Sequence, residues 1–230
     1  MYLDEFVTKA NKTLPEYPEP LKYLRGRGIS AGDIEKYTLG FLKIARVKKS
    51  SSQDYKTLFA STNEFRSLQN RLIFPLRNVL GRVNGLVVRS LEKKKYTQYF
   101  MSEAKSIGAF FGLYEALPYI KSTKKVFVHE GAVDAISFAK VFPNSVSSLT
   151  SFLNEAQYEM LRFFADKIIL VYDSDKAGAI GVYKMRQAYG EKHIEHIYIG
   201  DSDSNACLNM LGLERFKTFI KTRVPTLLQD

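Results

Sequence analysis

Two kinds of hydrophobic rhythm divide this chain. Up to about residue 110 the apolar positions come in short groups broken by glycine, proline and polar stretches. PLKYLRGRGI, entered through Pro18 and Pro20, reads as a short basic helix stopped by Gly26 and Gly28. Ser30 with Asp33 three residues on has the spacing of a capping box, and opens a second helix over SAGDIEKY. VKKSSSQDYK reads as a loop. RLIFPLRNVLGRVNGLVVRSL then places two apolar runs around Asn78, Gly81 and Asn84, the pattern of a hairpin or meander.

From about residue 112, strand-sized apolar runs alternate with helical patterns, the arrangement of a parallel α/β domain. KKVFVHEG is a strand running into a turn, AVDAISFAKVF the helix after it, and SVSSLTS a second short strand. NEAQYEMLRFFA is the next helix, with Met160, Leu161, Phe163 and Phe164 as its expected buried stripe. KIILVYDSD is the most apolar strand and is expected at the centre of the sheet. KAGAIGVYKMRQAYG continues as a helix, EHIYIGDSD as a last strand, and ACLNMLGLERFKTFI as one closing helix. The expected fold class is α/β: an N-terminal basic α+β subdomain over residues 1–110, a Rossmann-like domain with a mostly parallel sheet and flanking helices over 111–205, and a C-terminal helix over 206–230.

Composition narrows the partners. The chain has 230 residues, 45% of them hydrophobic, enough for a genuine core. Its 34 Lys and Arg against 24 Asp and Glu give a net charge of +10, which favours a polyanion over a merely soluble basic surface. Cys207 is the single cysteine, so neither an internal disulfide nor a Cys-based zinc site is available and a reducing compartment, the cytoplasm, is expected. MYLDEFVTKANK lacks a basic start followed by an apolar core, and no run approaches the roughly 20 apolar residues of a membrane span.

The candidate chemistry sits at the ends of three strands. Glu130 follows VFVH, Asp173 and Asp175 follow IILVY, and Asp201 and Asp203 follow HIYIG. Ligands of parallel sheets gather at the carboxyl ends of strands, so these acids can converge. An Asp-x-Asp pair by itself is usually a turn or a helix cap. Acids at three strand ends, with the small residues Gly131, Ala177 and Gly178 beside them, point instead to magnesium, a hard cation that takes oxygen ligands. Two ions about 4 Å apart would stabilise the attacking and leaving oxygens of a phosphoryl or nucleotidyl transfer.

At these residues the chain resembles the TOPRIM domain of DnaG-type bacterial and phage DNA primases. VFVHEGAVDAIS is similar to that family's strand with Glu-Gly and an Asp four residues after the Glu; IILVYDSDKAG is similar to its Tyr-Asp-x-Asp-x-Ala-Gly element, and DSDSNACL to its later Asp-x-Asn/Asp element. SSLTSFLNEAQYEML resembles its Ser-Leu-Gly-Thr segment, with Thr150 where a Gly is usual. Upstream, YLRGRGIS with IEKYTLGF, then RLIFPLRNVLGRVNGLVVRSL, KKYTQYF and FFGLYEA, resemble primase landmarks, so the likeness runs from about residue 20 to 220.

The resemblance implies catalytic roles for Glu130, Asp173 and Asp175, and metal binding by Glu130, Asp173, Asp175 and Asp203, with two or more Mg2+ or Mn2+ ions and no structural zinc. It implies nucleotide or template binding by Arg71, Arg89, Lys95 and Tyr96, and supporting roles for Asp134 and Asn205. Plainer readings stand beside these. Arg71 and Arg89 could be solvated strand residues, Lys93, Lys94 and Lys95 a wet charge run, and Asp134 an exposed helix acid. Tyr96, Phe110 and Phe111 are expected in the core ahead of base stacking, and His129, facing away from Glu130, is expected against a helix.

The implied activity is synthesis of short RNA primers on single-stranded DNA from ribonucleoside triphosphates, with a replicative helicase and possibly a separate template-recognition protein as partners. A TOPRIM-type nuclease and a non-catalytic DNA-binding accessory protein are the alternatives. The zinc ribbon usual at the family's N-terminus is not expected here, and the compact length suggests a phage-like or mobile-element member.

Overall fold

The computed structural model describes residues 3–42, 70–91, 96–100, 108–172, 176–200 and 202–224. They form two compact units, Met1–Leu76 with Gly81–Ala104, and Arg77–Leu80 with Lys105–Asp230.

The first unit opens on α1 (Leu3–Thr13), whose Leu3, Phe6, Val7 and Ala10 repeat at helical spacing and are buried. A 3₁₀ turn (Leu14–Glu16), α2 (Pro18–Gly26) and α3 (Ala31–Lys36) follow. The expected capping box is present: Asp33 N–H donates to Ser30 Oγ at 3.2 Å, and Ser30 N–H donates back to Asp33 Oδ2 at 2.8 Å. Four strands, β1 (Gly40–Leu42), β2 (Arg71–Arg77), β3 (Val83–Ser90) and β4 (Tyr96–Phe100), lie side by side in that order. The turn between β2 and β3 uses Asn78 Oδ1, which accepts from Leu80 N–H at 3.0 Å, and Gly81 at a φ of +83°. The meander expected from the sequence is therefore present, while VKKSSSQDYK lies outside the described residues. Asn11 ties α1 to the strand entry by donating to the Leu39 carbonyl at 2.7 Å.

The second unit is a parallel sheet in the order β6-β5-β7-β8. Its elements in chain order are α4 (Leu113–Thr123), β5 (Lys125–His129), α5 (Ala132–Ala139), β6 (Ser145–Ser147), α6 (Glu155–Phe164), β7 (Lys167–Leu170), α7 (Lys176–Tyr189), β8 (Ile194–His196), α8 (Ser204–Leu211) and α9 (Leu213–Arg223). β7 is an interior strand, as its uninterrupted apolar run requires. Alternation along β5 and β7 sends Val126, Val128, Ile168 and Leu170 into one core, with residues of α4, α6 and α7. Phe127, Ile169 and Val171 enter a second core with residues of α5, α8 and α9. The sheet is thus covered on both faces, as parallel sheets require.

Two sequence expectations are corrected. In α6 the inward side is Tyr158 and Leu161, with Met160 and Phe164 partly buried, whereas Phe163 is 81% exposed. Phe163 lies two residues beyond Leu161, about 200° round the helix, so it cannot share that face. The closing segment is two helices, because Gly212, at a φ of +72°, ends α8 and begins α9.

Two histidines are packed into this unit. Burial pushes His129 down to about 3. Burial foremost, and then the Arg186 charge, push His196 down to about 4. An unfolded histidine takes up a proton near pH 6.5 and these folded ones do not, so their contribution to stability is complete above about pH 6.5 and is lost as the pH falls towards 4 and 3. Urea midpoints should therefore decline between pH 7 and pH 5, and His129→Leu should flatten that decline; an unchanged slope would contradict the assignment.

Candidate active site

The topology locates the site. From β5 the chain moves outward to β6, then crosses back to β7 on the other side of β5, so the connections diverge between β5 and β7. A crevice opens at the carboxyl ends of strands at such a switch point. Glu130 stands there, directly after β5.

Serines fix the strand end that carries it. Ser148 N–H donates to the His129 carbonyl at 2.9 Å, and Ser147 Oγ donates to the Glu130 carbonyl at 3.0 Å. On the other side Val171 N–H donates to the Val128 carbonyl at 2.8 Å. The loop after β6 is itself built closely: Leu149 has a φ of +64°, unusual for a side-chain-bearing residue, and its N–H reaches Ser147 Oγ at 3.1 Å. Gln157 of α6 donates to the Ala109 and Ser148 carbonyls at 3.0 and 3.2 Å. Tyr172, the residue before Asp173, is buried; burial first, and the Glu130 charge last among the causes, raise its hydroxyl well above the usual phenol range.

Asp203 is half-buried at the N-cap of α8, where one carboxylate oxygen accepts from Ala206 N–H at 2.6 Å. Asp134, in the first turn of α5, accepts from Asn205 N–H at 3.0 Å. That bond brings the turn that carries Asp203 to the turn that follows Glu130. Asn205 points inward, 1% exposed, with its amide donating to Ser137 Oγ at 2.9 Å. The resemblance gave Asp134 and Asn205 supporting roles; the bond between them, and Ser137 as the partner of Asn205, could not be read from the sequence, where Ser137 is only a small polar residue in an apolar helix.

Asp173, Asp175 and Lys95 lie outside the described residues, as do Asp201 and the side chain of Tyr96. Among the described residues no group of three His, Cys, Asp or Glu side chains forms a metal-holding set. Of the four carboxylates expected at a metal, Glu130 and Asp203 lie among the described residues, and their hard oxygens are of the kind a divalent cation with few direct protein ligands takes. In the first unit Arg71 begins β2 and is half-buried. Arg89 is buried, with its guanidinium 4.9 Å from the centre of the Tyr23 ring, and Arg27 lies 5.6 Å from the same ring. Arg89 is therefore a held cation and not a freely solvated strand residue. Phe110 and Phe111 are core residues, and His129 packs against Phe138 with ring centres 4.9 Å apart, both as expected.

Residues 127–208, which hold this covered parallel sheet with Glu130 at its switch point and Asp203 capping a later helix, match the family described as Toprim-like. Residues 8–108 match the family described as DNA primase catalytic core, N-terminal domain. With both in tandem, the chain belongs to the DnaG-type DNA primase family. It is 29% identical over 216 residues to the DNA primase of Halalkalibacterium halodurans, covering 85% of this chain and 36% of that protein. It is 30% identical over 201 residues to the DNA primase of Borreliella burgdorferi, covering 80% of this chain and 38% of that protein. The chain thus spans little more than a third of the length of these relatives. Among solved structures, a DNA primase domain from Pseudomonas aeruginosa superposes with a TM-score of 0.80 at 21% identity, covering 96% of this chain and 77% of that one. A DnaG primase catalytic domain bound to single-stranded DNA superposes with a TM-score of 0.74 at 21% identity, covering 96% and 77%. These likenesses establish the DnaG core fold.

Proposed function

We propose that this chain is the catalytic core of a DNA primase, which makes short RNA primers on single-stranded DNA from ribonucleoside triphosphates. The observation that carries the reading is the tandem of a primase-type N-terminal domain and a Toprim-like domain in one chain. A Toprim-like domain by itself would suit phosphodiester hydrolysis equally. Charge supports the reading. Residues 1–110 hold 20 Lys and Arg against 10 Asp and Glu, while the remaining residues hold 14 of each, so the whole positive excess falls in the primase-type part. Such an excess draws a phosphate backbone and weakens with salt.

In this reading Glu130, Asp173, Asp175 and Asp203 hold two or more Mg2+ or Mn2+ ions, which supply charge neutralisation at the transferring phosphate. Glu130 either joins that set or accepts the proton of the attacking 3′-hydroxyl at its carboxylate. Arg71, Arg89 and Lys95 bind triphosphate or template phosphates, with arginine suited to two-point contact, and Tyr96 likewise binds the nucleotide or template. The Tyr23 ring limits the orientations open to Arg89, so less of its side-chain freedom is lost on binding. A replicative helicase and, where initiation needs it, a separate template-recognition protein complete the partner set.

The test is incubation of the purified chain with single-stranded DNA, labelled ribonucleotides and magnesium or manganese, alongside Asp173→Asn and Asp203→Asn. The proposal expects labelled oligoribonucleotides from the wild type and losses of roughly 100-fold or more in both variants. Cleavage of the template without synthesis would replace the reading with a nuclease.

A further inference from the structure

We propose that Asp134, Ser137 and Asn205 form a clamp between α5 and α8 that positions Asp203, and that Asp134 serves there as a positioning residue and not as a metal ligand. The inference rests on the reading of Asp203 as a metal-holding carboxylate.

The first turn of a helix leaves its N–H groups without partners inside the helix. At α8 two of them are taken by carboxylates from different parts of the chain. Asp203 accepts from Ala206 N–H at 2.6 Å, and Asp134 Oδ1, 71 residues earlier in sequence, accepts from Asn205 N–H at 3.0 Å. Gly131 leaves room for this approach. A Cβ at that position would overlap Asp134 Oδ2, so the glycine after Glu130 leaves the space in which Asp134 turns back towards the strand end. Backbone strain is not the reason for a glycine there, since its φ is −104°.

Beneath this contact the two helices are joined by a buried polar relay with a defined direction. Ser137, 0% exposed, donates its hydroxyl proton to the Val133 carbonyl at 2.9 Å. Its oxygen is then the acceptor for the Asn205 amide at 2.9 Å, which fixes which end of that amide faces Ser137. The opposite end, Asn205 Oδ1, accepts from Asn209 Nδ2 at 3.3 Å. Ser137 and Asn205, both buried and partnered, hold one arrangement, because any shift leaves a polar group unpaired out of water. The relay explains an amide at 205: a carboxylate there would bring a buried negative charge against the same hydroxyl and lose the donor that Ser137 receives. α8, with Asp203 at its head, is therefore held at a set place relative to the turn after Glu130.

A ligand and a positioning acceptor respond differently to loss of charge. Asp134→Asn removes the charge but keeps an oxygen for the Asn205 N–H, whereas Asp134→Ala removes both, and Ser137→Ala cuts the relay without touching any acid. Mn2+ alone is titrated into the full chain, with free ion followed by its electron paramagnetic resonance signal and Asp203→Asn as the reference for a lost ligand. The clamp expects Asp134→Asn to bind Mn2+ within about threefold of wild type, while Asp134→Ala and Ser137→Ala weaken it by about tenfold, the scale of outer-shell substitutions. Asp134→Asn weakened as much as Asp203→Asn would make Asp134 a ligand and overturn the proposal, as would wild-type binding by Ser137→Ala. Should Asp134→Ala fail to fold, Asp134→Asn and Ser137→Ala decide the question between them. Failure of the wild type to make primers would refute the functional reading but leave this titration intact, so the two are read separately.

Discussion

Glu130→Gln is expected to abolish primer synthesis, by roughly 100- to 10,000-fold, while leaving the folded protein intact. The side chain keeps its length and loses only its charge and its capacity to accept a proton. Glu130 stands at the carboxyl end of β5 at the switch point of the sheet, and its main-chain carbonyl, not its carboxylate, is what Ser147 holds. The strand end should therefore keep its place in the variant. Surface substitutions usually change stability by about 0.5 kcal/mol or less, and a near-isosteric exchange at Glu130, which removes no packing, is expected to stay close to that. Thermal melting of Glu130→Gln should fall within about 2 °C of wild type, and binding to single-stranded DNA, which the proposed function assigns to the basic residues of the first unit, should persist. Loss of synthesis accompanied by unfolding would remove Glu130 from the catalytic account.

Gly181→Ala is expected to destabilise the protein, a large effect for a single added methyl group. Inside a helix the exchange normally stabilises by about 1 kcal/mol, because glycine loses more backbone freedom on folding. At Gly181 of α7, however, the new Cβ would overlap the carbonyl oxygen of Ser151, in the loop after β6. The obstacle is backbone, and that backbone is held by Ser148, Thr150 and Gln157 through hydrogen bonds, so it cannot yield cheaply. Overpacking of this kind costs about 1–3 kcal/mol and outweighs the propensity gain. Urea or thermal unfolding should report the loss, and activity should fall with it because the displaced loop abuts the Glu130 strand end. Gly26→Ala supplies the control: nothing lies within 4 Å of its added methyl, so that variant should be as stable as wild type or more so. Equal effects at the two glycines would contradict the packing argument.

In the parallel half β5 and β7 were legible because they are mostly apolar runs, and the helices because they keep a 3.6-residue period; β6 (Ser145–Ser147) and β8 (Ile194–His196) are short and more polar and carry less of that signal. Sheet order and the switch point were not legible, since nothing local in IILVY says that β7 crosses to the far side of β5. The sequence offers the acids at strand ends as a candidate set, and the resemblance adds Asp134 and Asn205 in supporting roles, but the bond that joins these two across 71 residues could not be read there. Phe163 was misplaced because a run of apolar residues was read as a face, and its 81% exposure shows that position round the helix decides. The split at Gly212 followed from a left-handed residue whose glycine could equally have sat inside a helix. Arg89 was visible as a cation in a strand, but its place over the Tyr23 ring, which makes it a fixed group, arises only when α2 and β3 pack together.

Whether the chain starts RNA strands tests the central claim most directly. Purified protein is given a single-stranded DNA template, Mg2+ or Mn2+, and ribonucleoside triphosphates in which the label is on the γ-phosphate of the initiating nucleotide. A primase keeps that phosphate at the 5′ end of its product, so the account predicts short γ-labelled oligoribonucleotides complementary to the template, absent with Glu130→Gln. Template fragments, or release of the γ-label without its appearance in any oligonucleotide, would contradict it.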